Sequence, residues 1–169
     1  WKVVHESEIG LQGLALVAYK DRLIRIGGFH ATNASEESQH LISVDQVAQV
    51  IVGPHGISSW VNLPALPEAR SSTDATLVGD DLVVMGGWKL DGEKKPQWHK
   101  TAWKLDLANA SSQWQALPEP PFQRRALALV TYRDQVFAIG GMGSDNAPST
   151  EVNLLYMTSG TWSAGPRLP

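Results

Sequence analysis

The chain has 169 residues, of which 43% are hydrophobic and 18% charged, and it carries a formal net charge of −3. This balance fits one packed domain and argues against a nucleic-acid footprint, because the basic residues are scattered and Asp91 and Glu93 offset the Lys94-Lys95 pair. No apolar run approaches the length of a membrane-spanning helix, and the absence of cysteine excludes disulfides and thiolate metal sites.

The elements follow one another in a repeated order. Trp1 stands first, and residues 14–19 and 21–26 read as two short apolar strands joined at Lys20-Asp21. Gly27-Gly28 follows. Residues 40–44 read as a third strand. Residues 46–59 read as an insertion whose 51–56 segment forms an extended hairpin. Trp60 then opens a fourth strand, which leaves through Leu63-Pro64-Ala65-Leu66-Pro67. The second unit repeats this with 72–78 and 81–85 joined at Gly79-Asp80, then Gly86-Gly87, a third strand at 101–107, and Trp114 before a proline-rich exit. The last unit has 126–132 and 134–139 joined at Arg133-Asp134, then Gly140-Gly141, 151–157, and Trp162 before the exit 165–169. Helical periodicity is absent throughout.

Trp1, Trp60 and Trp114 each lead a glycine pair by 26 residues, whereas the repeated tryptophans Trp1, Trp60, Trp114 and Trp162 are 59, 54 and 48 residues apart. One half of the unit is fixed by packing and the other carries loops free to vary. The units are 1–59, 60–113 and 114–161, with an extra strand at 162–169, all in one domain. Glycine pairs permit φ values closed to other residues and leave room for a close neighbour. Trp1, Trp60, Trp114 and Trp162 are expected to supply that neighbour between units, so the tryptophans and glycine pairs are structural.

These residues resemble kelch repeats, in which an arginine opens the first strand, Gly-Gly ends the second, a tyrosine lies in the third and a tryptophan opens the fourth. The matching arginines are Arg70 and Arg125, with Leu11 or Gln12 at that place in the first unit. The tyrosine is Tyr156, and Leu105 and Val44 take its place elsewhere, followed by Asp106 and Asp45. The resemblance implies an all-β fold of three four-stranded antiparallel blades of a kelch-type β-propeller. Three blades do not close a ring, since propellers use about four to eight. A head-to-tail homodimer would make the six-bladed ring most usual for the family, and further blades of a longer parent chain would do the same.

The loops after the glycine pairs leave the second strands at one end and should gather on one rim, beside the fourth-to-first-strand crossovers. Exposed aromatics and arginines on variable loops are binding-surface chemistry. This makes Arg70, Arg124, Trp88, Trp98, His30 and Asn146 the candidate contacts for a protein or peptide partner. The five histidines show no ligand spacing, so neither metal nor cofactor is expected. Asn33-Ala34-Ser35 and Asn109-Ala110-Ser111 match the glycosylation acceptor pattern. Two enzyme groups with kelch-type blades bear on activity. Galactose-oxidase-like copper chemistry needs a cysteine that this chain lacks. Resemblance to sialic-acid mutarotases would require an acid/base pair such as Glu68 with Arg70 or Glu119 with Arg124. The expectation is a non-enzymatic scaffold for partner recognition, with a small carbohydrate-active or carbohydrate-binding propeller as the alternative.

Overall fold

The structure, a computed structural model, describes residues 10–32, 40–54, 56–57 and 59–169. Trp1, His5, His55 and the Asn33 acceptor pattern lie outside the described residues. In the first blade β1 (Ala15–Tyr19) pairs with β2 (Arg22–Ile26). The chain then forms a rim hairpin from β3 (Phe29–Ala31) and β4 (Leu41–Ser43). It returns as β5 (Val47–Gly53), turns through β6 (Gly56–Ile57), and completes the sheet with β7 (Val61–Leu63) against β5. The second blade repeats the plan with β8 (Asp74–Val78), β9 (Asp81–Met85), the rim hairpin β10 (Trp88–Lys89) and β11 (Gln97–Trp98), then β12 (Ala102–Asp106) and β13 (Gln115–Ala116). The crossover strand β14 (Arg124–Arg125) precedes the third blade, which is β15 (Ala128–Tyr132), β16 (Gln135–Ile139), β18 (Val152–Tyr156) and β19 (Thr161–Ala164). Between β16 and β18, β17 (Met142–Gly143) pairs back onto β14. The described residues therefore form three antiparallel four-stranded blades, each closing on the strand led by a repeated tryptophan.

Alternation decides which joint each residue enters, because successive side chains of a strand point to opposite faces. Val17, Tyr19, Ile24 and Ile26 of the first blade pack on Ala75, Leu82, Val84 and Leu105 of the second. Val83, Met85 and Ala102 of the second blade pack on Leu127, Leu129, Val136 and Ala138 of the third. β9 feeds both joints, which explains its unbroken run Leu82-Val83-Val84-Met85 with every member buried. The outer faces carry the same residue types in water. Val17 and Tyr19 are 9% and 5% exposed, while Val130 and Tyr132, at the equivalent places on the third blade, are 48% and 59% exposed. Likewise Leu66 is 3% exposed and Leu168, at the equivalent place in the last exit, 42%.

All six glycines of the three pairs have positive φ, between 59° and 106°. Their lack of a side chain serves a close approach that is not the expected one. A Cβ on Gly86 would meet the Arg124 carbonyl oxygen at 2.8 Å, and one on Gly141 the Arg125 carbonyl oxygen at 2.7 Å. The room is used by the backbone of crossovers, not by tryptophan. The tryptophans bridge the joints elsewhere. Trp114 donates its indole N–H to the Pro64 carbonyl at 2.8 Å and Trp162 to the Pro118 carbonyl at 3.2 Å, each on the exit of the preceding blade. Trp60 lies on the outer face of the first blade under the Arg25 guanidinium, 5.5 Å from its ring centre.

Three register expectations are corrected. The third strand of the first blade is β5, not residues 40–44. That earlier segment pairs with β3 in the rim hairpin, and only β5 makes the continuous ladder with β2. The tip of β5 and β6 is the extended hairpin read at 51–56. Tyr156 is opposite Gln135 as Asp106 is opposite Asp81, so Asp106, and not Leu105, shares its position. The arginine of the third unit is Arg124. Gln12, Ser71 and Arg125 pair with Phe29, Trp88 and Met142, which places Leu11, Arg70 and Arg124 in register.

Candidate functional site

The β1, β8 and β15 strands lie side by side as the inner strands, so the crossover residues just before them form the inner edge of one rim. The rim itself is built by the segments that follow the glycine pairs, residues 29–46, 88–101 and 142–151, each four residues shorter than the last. The first two hairpins are zipped together. Ser43 N–H donates to the Leu90 carbonyl at 2.9 Å, Gly92 N–H to the Leu41 carbonyl at 3.0 Å, and Leu90 N–H to the Ser43 hydroxyl at 2.9 Å. The buried Ser43 and Ser71 hydroxyls meet at 2.9 Å beneath them.

Of the six candidate contacts, the structure withdraws Arg70 and Arg124 from the surface. Arg70 is fully buried and Arg124 is 2% exposed. Each guanidinium instead ties its crossover to its blade. Arg70 donates from Nη1 to the Gly86 and Thr101 carbonyls, both at 3.3 Å, and Arg124 donates from Nη1 to the Gly140 and Glu151 carbonyls, both at 2.8 Å. Each guanidinium thereby supplies donors to two carbonyls at the ends of the second and third strands of its blade.

Glu68 lies beside Arg70 and is held by it. Glu68 Oε2 accepts from Arg70 Nη2 at 3.0 Å, from the Thr101 hydroxyl, and from Trp103 Nε1 at 3.2 Å, with His99 Nδ1 at 3.7 Å. Burial opposes the Glu68 charge, but the bonds from Thr101 and Trp103 and the charges of His99 and Arg70 outweigh it and lower its pKa. Burial, reinforced by the nearby Arg70 charge, lowers that of His99. Burial pulls the Arg70 guanidinium down to about 10 against the Glu68 charge. The group is thus a fixed ion pair beside a buried imidazole. Glu119 and Arg124 do not form the alternative pair: Glu119 is exposed and sits 3.8 Å from Lys100.

Trp88 and Trp98 face each other across β10 and β11, edge to face, with ring centres 5.3 Å apart. Arg125, which the candidate set omitted, completes the cluster. Its guanidinium carbon lies 4.1 Å from the Trp88 ring centre and 5.9 Å from that of Trp98. His30 sits on β3 with its ring against the Ala31 carbonyl at 3.4 Å. Asn146 is exposed at the tip of the third hairpin with φ 62°, its N–H bonded to the Gly143 carbonyl. The structure therefore brings together Trp88, Trp98 and Arg125. Counting could have found Arg125: Arg70 and Arg124 both stand ten residues after a tryptophan, so the neighbouring arginine was the one left over from the scaffold.

An open groove of about 650 Å³ runs beside the third hairpin, lined by Lys100, Glu119, Gln123, Ser144, Ser149 and Arg167 among others. Ser149 makes the backbone bond to Gly141 that His99 makes to Gly87, so a hydroxyl stands where the second blade has an imidazole. Among the described residues no group of three or more His, Asp or Glu side chains could hold a metal ion, and no helix is long and apolar enough to cross a membrane.

No family model matches the chain. Two curated proteins do. The kelch-like protein terF of Aspergillus terreus is 30% identical over 108 residues, 62% of this chain and 23% of its own length. The kelch domain-containing protein 8B of Bos taurus is 30% identical over 118 residues, 66% of this chain and 33% of its own length. The chain spans about a quarter to a third of these relatives. Among solved structures, one titled "Structure of YjhT" matches with a TM-score of 0.72 at 16% identity, over 94% of this chain and 52% of that one.

Proposed function

The chain belongs to the kelch-repeat family, and on that premise we propose that it is a propeller scaffold recognising a protein or peptide partner through the rim of its three hairpins. The observation that carries this reading is the gathering of two indoles and a guanidinium on a rim whose hairpins change length from blade to blade. Large aromatic and arginine side chains are the usual anchors of such interfaces. The ring is completed by further blades, from a second copy set head to tail or from a longer parent chain. Val130, Tyr132 and Leu168 then enter joints like those holding Val17, Tyr19 and Leu66, and burying each contributes about 1.5–3 kcal/mol.

The test is selection of a displayed peptide library on the immobilised chain, followed by titration against Trp88→Ala and Trp98→Ala. The expected result is rim-dependent binding, weakened tenfold or more with the melting temperature little changed. Absence of enriched peptides, or binding indifferent to both substitutions, overturns the reading.

A further inference from the structure

The Arg125 guanidinium is stacked on Trp88 at 4.1 Å and flanked by Trp98 at 5.9 Å, and its Nη2 points at the Met142 sulfur at 2.8 Å. Thioether sulfur is a weak acceptor. Among the described residues no carboxylate lies within ion-pair distance of Arg125, whereas Arg22, Arg70 and Arg167 each have one. Arg125 Nε is buried without a partner, and so is the Trp88 indole N–H. Buried donors in native proteins are normally satisfied, and a partly desolvated charge without a counter-charge is costly.

The fold does not need this arginine. Arg125 is in register with Ser71 and Gln12, so the same backbone bridge is kept with three different side chains. Its backbone pairing with Met142 is independent of the side chain. The scaffold role belongs to Arg124, one residue earlier. A guanidinium whose Nη2 meets only a thioether suits a carboxylate, a far stronger acceptor. The two indoles give an apolar wall for whatever precedes or follows the acid.

We propose that Arg125, Trp88 and Trp98 form an acid-reading subsite that binds an aspartate or glutamate side chain of an extended partner peptide. The inference rests on the rim being a peptide-recognition surface and adds the charge of the residue it reads. The three side chains are part-exposed at the inner edge of the rim, and the neighbouring Gln123 is fixed by its bond to the Trp98 carbonyl at 3.2 Å.

The experiment is an octapeptide array in which one position is fixed in turn as Asp, Glu, Asn or Gln, probed with the chain, with Arg125→Gln and with Arg133→Gln. Arg133 is an exposed turn residue and serves as the control. The expected result is preference for the acid over its amide at one position, at least tenfold. That preference should be lost in Arg125→Gln, kept in Arg133→Gln, and weakened by salt. Selection of peptides without an acid preference overturns this inference while leaving rim recognition standing. An acid preference that survives Arg125→Gln overturns it too, as does binding of free glucuronate with no peptide selected.

Discussion

Arg70 and Arg124 enter the second and third blades sixteen residues ahead of the glycines whose carbonyls they bond, and there the likeness of their surroundings ends. Arg70 faces the Glu68 carboxylate, which also gathers Thr101 and Trp103. Arg124 has no acid in that place. Phe122 lies against it, the ring centre 4.0 Å from the guanidinium carbon, and Asn153 Oδ1 accepts from Nη2 at 2.5 Å. Phe122 in turn meets Trp162 edge to face at 5.8 Å. The first blade has Leu11 at this position, so no guanidinium stands there. The backbone task is constant where the arginine is present, while the means of balancing its charge is local to each blade.

Removing the two arginines should separate these cases. Arg70→Met strips the part-buried Glu68 carboxylate of its cation and leaves the Gly86 and Thr101 carbonyls unpaired; breaking a fully buried pair costs about 3–5 kcal/mol, and solvent at Glu68 puts this loss at the lower end of that range. Arg124→Met leaves carbonyls and an amide but no charge, a loss of about 1–3 kcal/mol. Urea denaturation of both variants reads the difference. Adding Glu68→Gln to Arg70→Met should recover part of the loss, because the stranded charge is removed with its partner. Equal losses for the two single variants, or no recovery in the double, would break the comparison.

The glycine pairs extend it to the backbone. Gly86 lies in the joint between the second and third blades, where a Cβ would run into Leu127 and the Arg124 carbonyl. Gly140 is its equivalent on the outer side of the third blade, and a Cβ there would find Leu168 at 3.3 Å and the Ser149 carbonyl at 3.4 Å. Both have positive φ, 73° and 59°, so both suffer backbone strain of about 1–3 kcal/mol when substituted. Only the first adds a collision with fixed backbone. Gly86→Val should therefore lose at least about 2 kcal/mol, and Gly140→Val about 1–2 kcal/mol. Chemical denaturation of the pair measures this, and a Gly140→Val loss as large as that of Gly86→Val contradicts the assignment of the cost to the joint.

The same distinction between backbone task and local surroundings governs how much could be read in advance. Strand positions next to the glycine pairs were legible because the spacing from Trp60 to Gly86 and from Trp114 to Gly140 is fixed by packing. The third strand of the first blade was not. Leu41-Ile42-Ser43 has the composition of a strand and is one, but its partner is β3, and pairing is a long-range property that local pattern does not encode. Arg124 was read as a surface anchor and Arg125 as scaffold because the two are adjacent and chemically identical. One residue of register decides which points into the blade and which lies on Trp88. The Glu68, Thr101, Trp103 and His99 cluster joins residues from a crossover, the end of a rim segment and a third strand, and no spacing in the chain announces it.

The smallest expected effect concerns His99, whose place in the third blade is taken by Ser149. The His99 ring is buried, with Nε2 at 3.0 Å from the Ala69 carbonyl, and burial together with the Arg70 charge lowers its pKa below the ordinary 6.5. Between that lowered value and 6.5 the unfolded chain binds a proton that the folded chain does not. Stability then rises with pH across the window, is fully present above about 6.5, and is lost as pH falls toward the folded value. The Glu68 contribution has the same sign but lies lower, beneath its ordinary 4.5, since its folded pKa is also depressed. The two can therefore be told apart by where they act. Urea midpoints of the unsubstituted chain should decline as pH falls from about 7 to about 5.5, whereas those of His99→Ser should stay level over that range and fall only under more acid conditions. Glu68→Gln should do the reverse, keeping the upper slope and flattening the lower one. An upper slope that persists in His99→Ser would assign the titration to another group and leave the imidazole of the second blade with a packing role alone.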